Sequence, residues 1–479
     1  KQLLKKKPEW DKCNLRHMGL DDEGVKAIKE VVPKYVQISE LLLSQNSIGD
    51  LGIGHLKDIL ENDDKLKMPV TSLDLEKNHF EALGMRYLSQ SLSTNKFLKE
   101  LNISRNAIGN EGMEAVAELL EKATPLAKLI ARRTGLRQEV GDILGKVLPL
   151  AKKLSKLDVS ENTLGSYGAQ AIAIALPQSN LDELVLFKAE IGLEGAAALA
   201  KALPCTRLTI LDVCDNAIGD DGAKAFADAL ALNSCPLKWL SLTHNQIGIP
   251  GARELGSSLQ ENACLTELRL GTNELSAEGV RYLAESLQVN TTLSGLYLRH
   301  NDLGDSGARV LSEAFARMRG LQCLGLQNND IGDDGALALA AALRENGSMI
   351  DLELDQNKIG DEGASAIIAA IETRPEFKRL SIGKNQVQDD GAKEIARVLR
   401  SHPGLLVVQL QKNWIDWEGG IAVVDALGEN PSLQEFYLNG NSIYIQGAEQ
   451  LSEAVQKQAT LRILDISDCY IGAKGAQGL

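Results

Sequence analysis

Apolar and polar positions alternate along this chain in one order that keeps returning. Two leucines stand one residue apart, an asparagine follows, and a run with apolar residues at helical spacing comes next. The full phrase, Leu-x-x-Leu-x-Leu-x-x-Asn-x-Ile-Gly-Asp-x-Gly-Ala continued by Leu-Ala-x-Ala-Leu, recurs about every 28 residues. Successive copies run from Leu296-Tyr297-Leu298 to Asn301 and Gly307, and from Leu324-Gly325-Leu326 to Asn329 and Gly335. The next two run from Leu352-Glu353-Leu354 to Asn357 and Gly363, and from Leu380-Ser381-Ile382 to Asn385 and Gly391. Leu-x-Leu has the period of a strand with one buried face, and the alanine-rich run has the period of a helix. Between them, the asparagine side chain can satisfy backbone groups that have no ladder partner. Glycine relieves unusual backbone angles there, and a carboxylate suits the positive end of the helix that follows.

Anchored on the asparagine, the register runs through Met18, Asn46, Asn78, Asn106, Thr134, Asn162, Ala189, Asn216, Asn245, Asn273, Asn301, Asn329, Asn357, Asn385, Asn413, Asn441 and Cys469, about 17 units. One step is long, and the charged stretch Asp63–Lys67 inside it reads as a loop insertion. A unit this short cannot bury its own apolar face, so it is stable only when stacked on neighbours. Helices are wider than strands (roughly 10 Å against about 4.8 Å), so the stack should curve into an α/β horseshoe with a parallel sheet on its concave face and helices outside. Residues 1–12 read as an N-terminal flank and 13–479 as a single solenoid, irregular around 126–156 and truncated in its last repeat. These motifs resemble the leucine-rich repeat family, in particular its ribonuclease-inhibitor-like branch, which includes the repeat regions of intracellular immune receptors and the Ran GTPase activators. The resemblance covers nearly the whole chain and implies the fold; the branch is too varied in its work to imply one function.

Bulk properties narrow the function by exclusion. A formal net charge of -14 with a pI near 5.1 argues against a nucleic-acid partner, which demands clustered cations. Much of the acidity comes from the recurring turns. Seven scattered cysteines without a CxxC pair suggest free thiols and a reducing, intracellular, cytoplasmic setting. No signal peptide and no apolar run of about 18 residues is present, so no membrane insertion is expected. Gly141–Lys146 lacks the spacing and hydroxyl of a phosphate-binding loop. His244 and His300 are two repeats apart, near 10 Å at strand spacing, too far for one metal ion. The Asp330–Gly335 turn lacks the alternating ligands of a calcium loop. No catalytic constellation stands out, so the expectation is a non-enzyme with no catalytic residues, cofactor, metal or small-molecule substrate.

The residues between the leucines face the inner wall and would meet a protein partner. Phe187, Trp239, Arg269, Tyr297 and Arg299 bring there the residue types that dominate binding energies. Asp351, Glu353 and Asp355 place three carboxylates on one strand, and Tyr437 appears further on. A second candidate is a repeat edge where Trp414, Trp417, Tyr444 and Tyr470, with Ile445, occupy turn positions that are usually polar. Arg132, Arg133, Arg137, Lys152, Lys153 and Lys156 form the main basic island. The expected function is a protein-interaction scaffold using the concave face and repeat-edge loops. Alternatives are a GTPase-activating protein of the Ran-activator type, the ligand-sensing repeat half of a larger immune-type receptor, and a structural subunit of a large assembly.

Overall fold

The computed structural model of the chain describes residues 11–31, 38–56, 60, 70–122, 124–232, 234–315 and 317–473. The expected insertion at 63–67 and both ends of the chain lie outside the described residues. Two compact units divide the chain, Lys1–Ser241 and Leu242–Leu479. Among the described residues, the first holds nine three-residue strands, from Lys12–Asn14 to Trp239–Ser241, and the second holds eight, from Glu267–Arg269 to Ile463–Asp465. Within each unit every strand pairs in parallel with the next. A helix follows each strand before the last of the second unit, as the alternation of periods 2 and 3.6 requires.

Register is set by the leucines. Leu296, Leu324, Leu352, Leu380 and Val408 stand opposite one another on successive strands, and all are buried. Alanines keep the helices close: Asp333–Glu345 buries Ala336, Leu339, Ala340 and Leu343, and Asp361–Ile371 beside it buries Ala364, Ile367, Ile368 and Ile371. Leucine and alanine thus form a continuous core between strands and helices within each unit.

The anchor asparagines stitch neighbouring repeats together. Asn357 donates through Nδ2 to the carbonyl of Leu354 in its own repeat (2.9 Å) and to that of Leu326 in the preceding one (3.0 Å). Its Oδ1 accepts from the backbone amides of Asn329 (2.9 Å) and Ile331 (3.1 Å). Where the anchor is Thr134, its hydroxyl donates to the Ala131 carbonyl in its own repeat (2.9 Å) and lies 3.5 Å from Asn162 Oδ1 of the next, with no bond to the carbonyl of the preceding repeat. The helix of that repeat, Val140–Val147, has 8 residues.

A second ladder lies at the C-terminal ends of the helices. Asn290 donates to the carbonyls of Leu259 (2.7 Å) and Asn262 (2.9 Å) and accepts from the amide of Leu293 (2.8 Å). Asn346 and Asn430 repeat the arrangement, and His402 takes the same place between them. Its Nδ1 accepts from the amides of Gly404 (3.1 Å) and Leu405 (3.0 Å), so the proton is on Nε2, which donates to the Ile371 carbonyl (3.0 Å). The ring is buried and neutral, and burial holds its pKa below the ordinary histidine value.

Two features of the turns are not apparent from any single repeat. The residue before each anchor is left-handed whatever its type, for example Gln45 (φ 57), Arg105 (φ 56), His300 (φ 55) and Lys412 (φ 55). The other concerns the residue three places after the anchor, which takes one of two conformations. In one, it is extended and its amide is bound by an Asp or Asn from the repeat before. Asp305 Oδ1 accepts from Gly332 (2.7 Å) and Gly335 (3.0 Å), Asp333 does the same for Gly360 and Gly363, and Asn110 accepts from Arg137. In the other, the preceding repeat carries no such side chain, and the residue is left-handed, as in Gly109, Gly165, Gly192 and Gly304. Its amide then donates to the next anchor's carbonyl, as Gly304 does to Asn329 (2.8 Å). The Asp four places after an anchor, as at Asp305 and Asp333, therefore caps the neighbour's helix rather than its own.

Candidate partner-binding faces

On the strand wall of the second unit, Arg269 stacks its guanidinium 4.8 Å from the centre of the Tyr297 ring while its Nε donates to Glu267 (2.7 Å). Glycines make the bed for that ring. A Cβ on Gly325 would lie 2.8 Å from Tyr297 Cδ1, and one on Gly295 would lie 3.2 Å from Cε2. Burial first, then nearby Cys323, Glu267 and Glu353, push the Tyr297 hydroxyl above its ordinary range. Burial also raises the Cys323 thiol to about 11, with help from Asp351 and Glu353. Arg299, on the same strand row, is exposed.

The three carboxylates are half-buried and not a solvated stripe. Asp351 meets Arg379 at 3.4 Å, yet burial and neighbouring Glu353 still push it up to about 6. Its Oδ1 is buried with no hydrogen-bond partner among the described residues. Glu353 is held by the Gln327 amide, and burial raises its pKa too. Asp355 accepts from the Ser381 hydroxyl, from the Gly383 amide (3.1 Å) and from Gln411 Nε2 (3.1 Å), and burial again wins. Fixed neutral donors thus hold Glu353 and Asp355 in place without neutralising them, while Asp351 faces the Arg379 cation. Tyr437 is three strands further along and donates to Glu435 (3.1 Å), so it does not join this group.

In the first unit, Phe187 and Trp239 are half-buried, stand two strands apart and occupy opposite ends of the inward rows, so they are not brought together. The basic island is partly spoken for: Arg132 clamps the fully buried Asp158 (Nε 2.6 Å), and Lys156 pairs with Glu183 (2.6 Å). Arg133 and Arg137 sit at the turn, away from Lys152 and Lys153 beyond the helix.

At the turn edge of the second unit, Trp414, Trp417, Tyr444 and Tyr470 are 60%, 43%, 42% and 72% exposed. The rings of Tyr444 and Tyr470 lie 6.0 Å apart and tilted by 30°. The Ile445 side chain lies outside the described residues. Among the described residues no group of His, Cys, Asp and Glu could hold a metal ion, and no helix is long and apolar enough to cross a membrane.

The repeating Asn-stitched strand–turn–helix unit has known relatives. A family model described as Leucine Rich repeat matches residues 94–117, 151–173, 205–227, 261–284, 289–312, 319–340, 346–367, 377–396 and 457–479. The chain belongs to the leucine-rich repeat family. Its repeats are of the ribonuclease-inhibitor-like kind: the ribonuclease inhibitor of Sus scrofa is 28% identical over 263 residues, 54% of this chain and 51% of that protein. NACHT, LRR and PYD domains-containing protein 5 of Homo sapiens is 28% identical over 154 residues, 32% of this chain and 13% of that protein. The match to this leucine-rich repeat chain therefore spans about half of the inhibitor's length and far less of the second protein's. Among solved structures, the TLR13–ssRNA13 complex superposes with a TM-score of 0.51 at 17% identity, covering 92% of this chain and 62% of that one. That likeness shows the fold alone.

Proposed function

We propose that this leucine-rich repeat protein is a non-enzymatic scaffold that docks a protein partner on the strand wall of its second unit. The observation that carries the reading is the group Arg269, Tyr297, Asp351, Glu353 and Asp355, a stacked cation–aromatic pair whose Tyr297 stands two strands from three half-buried carboxylates, two of them held by neutral donors. Aromatic and arginine side chains of this kind dominate interface energies, and preset side chains lose little entropy on binding. The ribonuclease inhibitors it resembles are, by name, inhibitors of another protein. The seven cysteines form no disulfide, the state that a reducing intracellular compartment maintains.

The test is affinity for a partner recovered with the intact chain from its native source. Tyr297→Ala together with Asp351→Asn, Glu353→Gln and Asp355→Asn should weaken that affinity by about 2 kcal/mol or more. Unchanged affinity removes this wall from the interface.

A further inference from the structure

The turn edge of the second unit gives up local stability at two linked places, and each time an exposed aromatic ring is what stands there. Four residues after the anchor, successive repeats carry Asp305, Asp333, Asp361 and Asp389, each capping the turn of the repeat that follows. The next repeat in the series carries Trp417 in that place, so the turn beyond it has no cap. That turn adopts the left-handed form, which elsewhere in this register falls on Gly or Ser276, but here it falls on Tyr444 (φ 50), whose amide donates to Cys469 (3.1 Å). Strain and a lost cap concentrated on exposed rings point to a use for those rings.

What leads up to the rings is acidic. The second helical residue of four consecutive repeats is Asp334, Glu362, Asp390 and Glu418, all at the same register position. None of the four makes the caps, which come from the residue before, so the row is not needed to close the turns. Glu418 at the end of the row pairs with Lys393 at 2.8 Å, a surface contact that an incoming cation can replace. The next repeat has Gln446 at this position, and the edge there is aromatic instead of charged.

We infer that this edge, from Asp334 to Tyr470, binds a basic polypeptide segment that carries an apolar anchor. Lysines or arginines of the segment lie along the carboxylate row, and the anchor packs against Trp414, Trp417, Tyr444 and Tyr470. Charge complementarity sets the direction of the segment, and the aromatic rings supply the fixed end. This edge shares with the strand-wall reading the premise that the chain binds protein, but it uses none of the same residues.

Selecting short random peptides from a displayed library against the whole chain tests it. Enriched peptides should combine clustered Lys or Arg with a neighbouring Leu, Pro or aromatic residue. Tyr444→Gly should weaken them roughly tenfold while leaving thermal stability equal or higher, because glycine suits the left-handed turn. Trp417→Asp restores the missing cap and adds a carboxylate, so stability should rise while peptide affinity falls. Asp334→Asn with Glu362→Gln and Asp390→Asn should weaken binding and flatten its salt dependence. Asp351→Asn with Glu353→Gln and Asp355→Asn should leave peptide binding unchanged, which separates this edge from the strand wall. The proposal is overturned if no basic peptides are enriched, if Tyr444→Gly binds them as wild type does, or if Trp417→Asp strengthens binding.

Discussion

A single anchor asparagine holds two repeats at once, donating to a carbonyl in each and accepting from two amides of the preceding one. Replacing Asn357 by Ala strands buried donors and acceptors on both sides and should cost about 3 kcal/mol in urea denaturation. Asn357→Thr should recover part of the loss, since Thr134 shows that a hydroxyl keeps the bond to its own repeat. His402 extends the same logic to a titratable group. Its ring is neutral in the fold and its pKa is depressed by burial, so the unfolded chain binds the proton more readily. Its contribution to stability should therefore be present above the unfolded histidine range and decline as pH falls below about 6.5. His402→Asn restores the side chain that neighbouring repeats use, and it should remove this acid sensitivity. The anchor asparagines were legible in the sequence because each recurs in step. The second ladder was not, because His402, Arg374 and Gln458 stand in register with its asparagines and hide the period.

Helix capping in these repeats belongs to pairs of repeats rather than to single ones. An Asp or Asn four residues after one anchor decides whether the next turn is extended or left-handed, so glycines at the same register position carry different burdens. Gly304 is left-handed (φ 55) with open space where a Cβ would stand, so Gly304→Ala should cost about 1 kcal/mol from conformation alone. Gly332, at the matching position, is extended under the Asp305 cap, and a Cβ there would meet only ordinary contacts at 3.5 Å. Gly332→Ala should be close to neutral in thermal denaturation. Asp305→Ala removes the shared acceptor and should cost about 1 kcal/mol, with faster amide exchange at Gly332 and Gly335 as its local signature. Strands and helices were readable from period alone. The two turn forms were not, since the residue that decides each turn sits one repeat upstream of it.

Within the second unit as a whole, the strand wall and the core oppose each other in their response to pH. Asp351, Glu353 and Asp355 were visible in the sequence as three like charges on one strand. Their burial was not, because it depends on what stands on adjacent strands: Tyr297 lying over Gly325, Gln327, and Gln411 lying over Gly383. Burial raises all three carboxyl groups, Asp351 to about 6, so the fold holds these protons more tightly than the unfolded chain does. Their contribution is fully present below the unfolded carboxylate range and is lost as pH rises through the folded values. His402 acts in the opposite direction. Urea denaturation followed between about pH 5 and 8 should thus show a shallow minimum near pH 6, where Asp351 has given up its stabilising proton and His402 has not yet recovered its full contribution. Asp351→Asn should lift the neutral and alkaline side, and His402→Asn the acid side. If Asp351→Asn also weakens partner binding, the wall keeps a destabilising carboxylate because the partner needs it, a trade between stability and recognition. If it raises stability and leaves binding untouched, burial of that charge is incidental and the partner sits elsewhere.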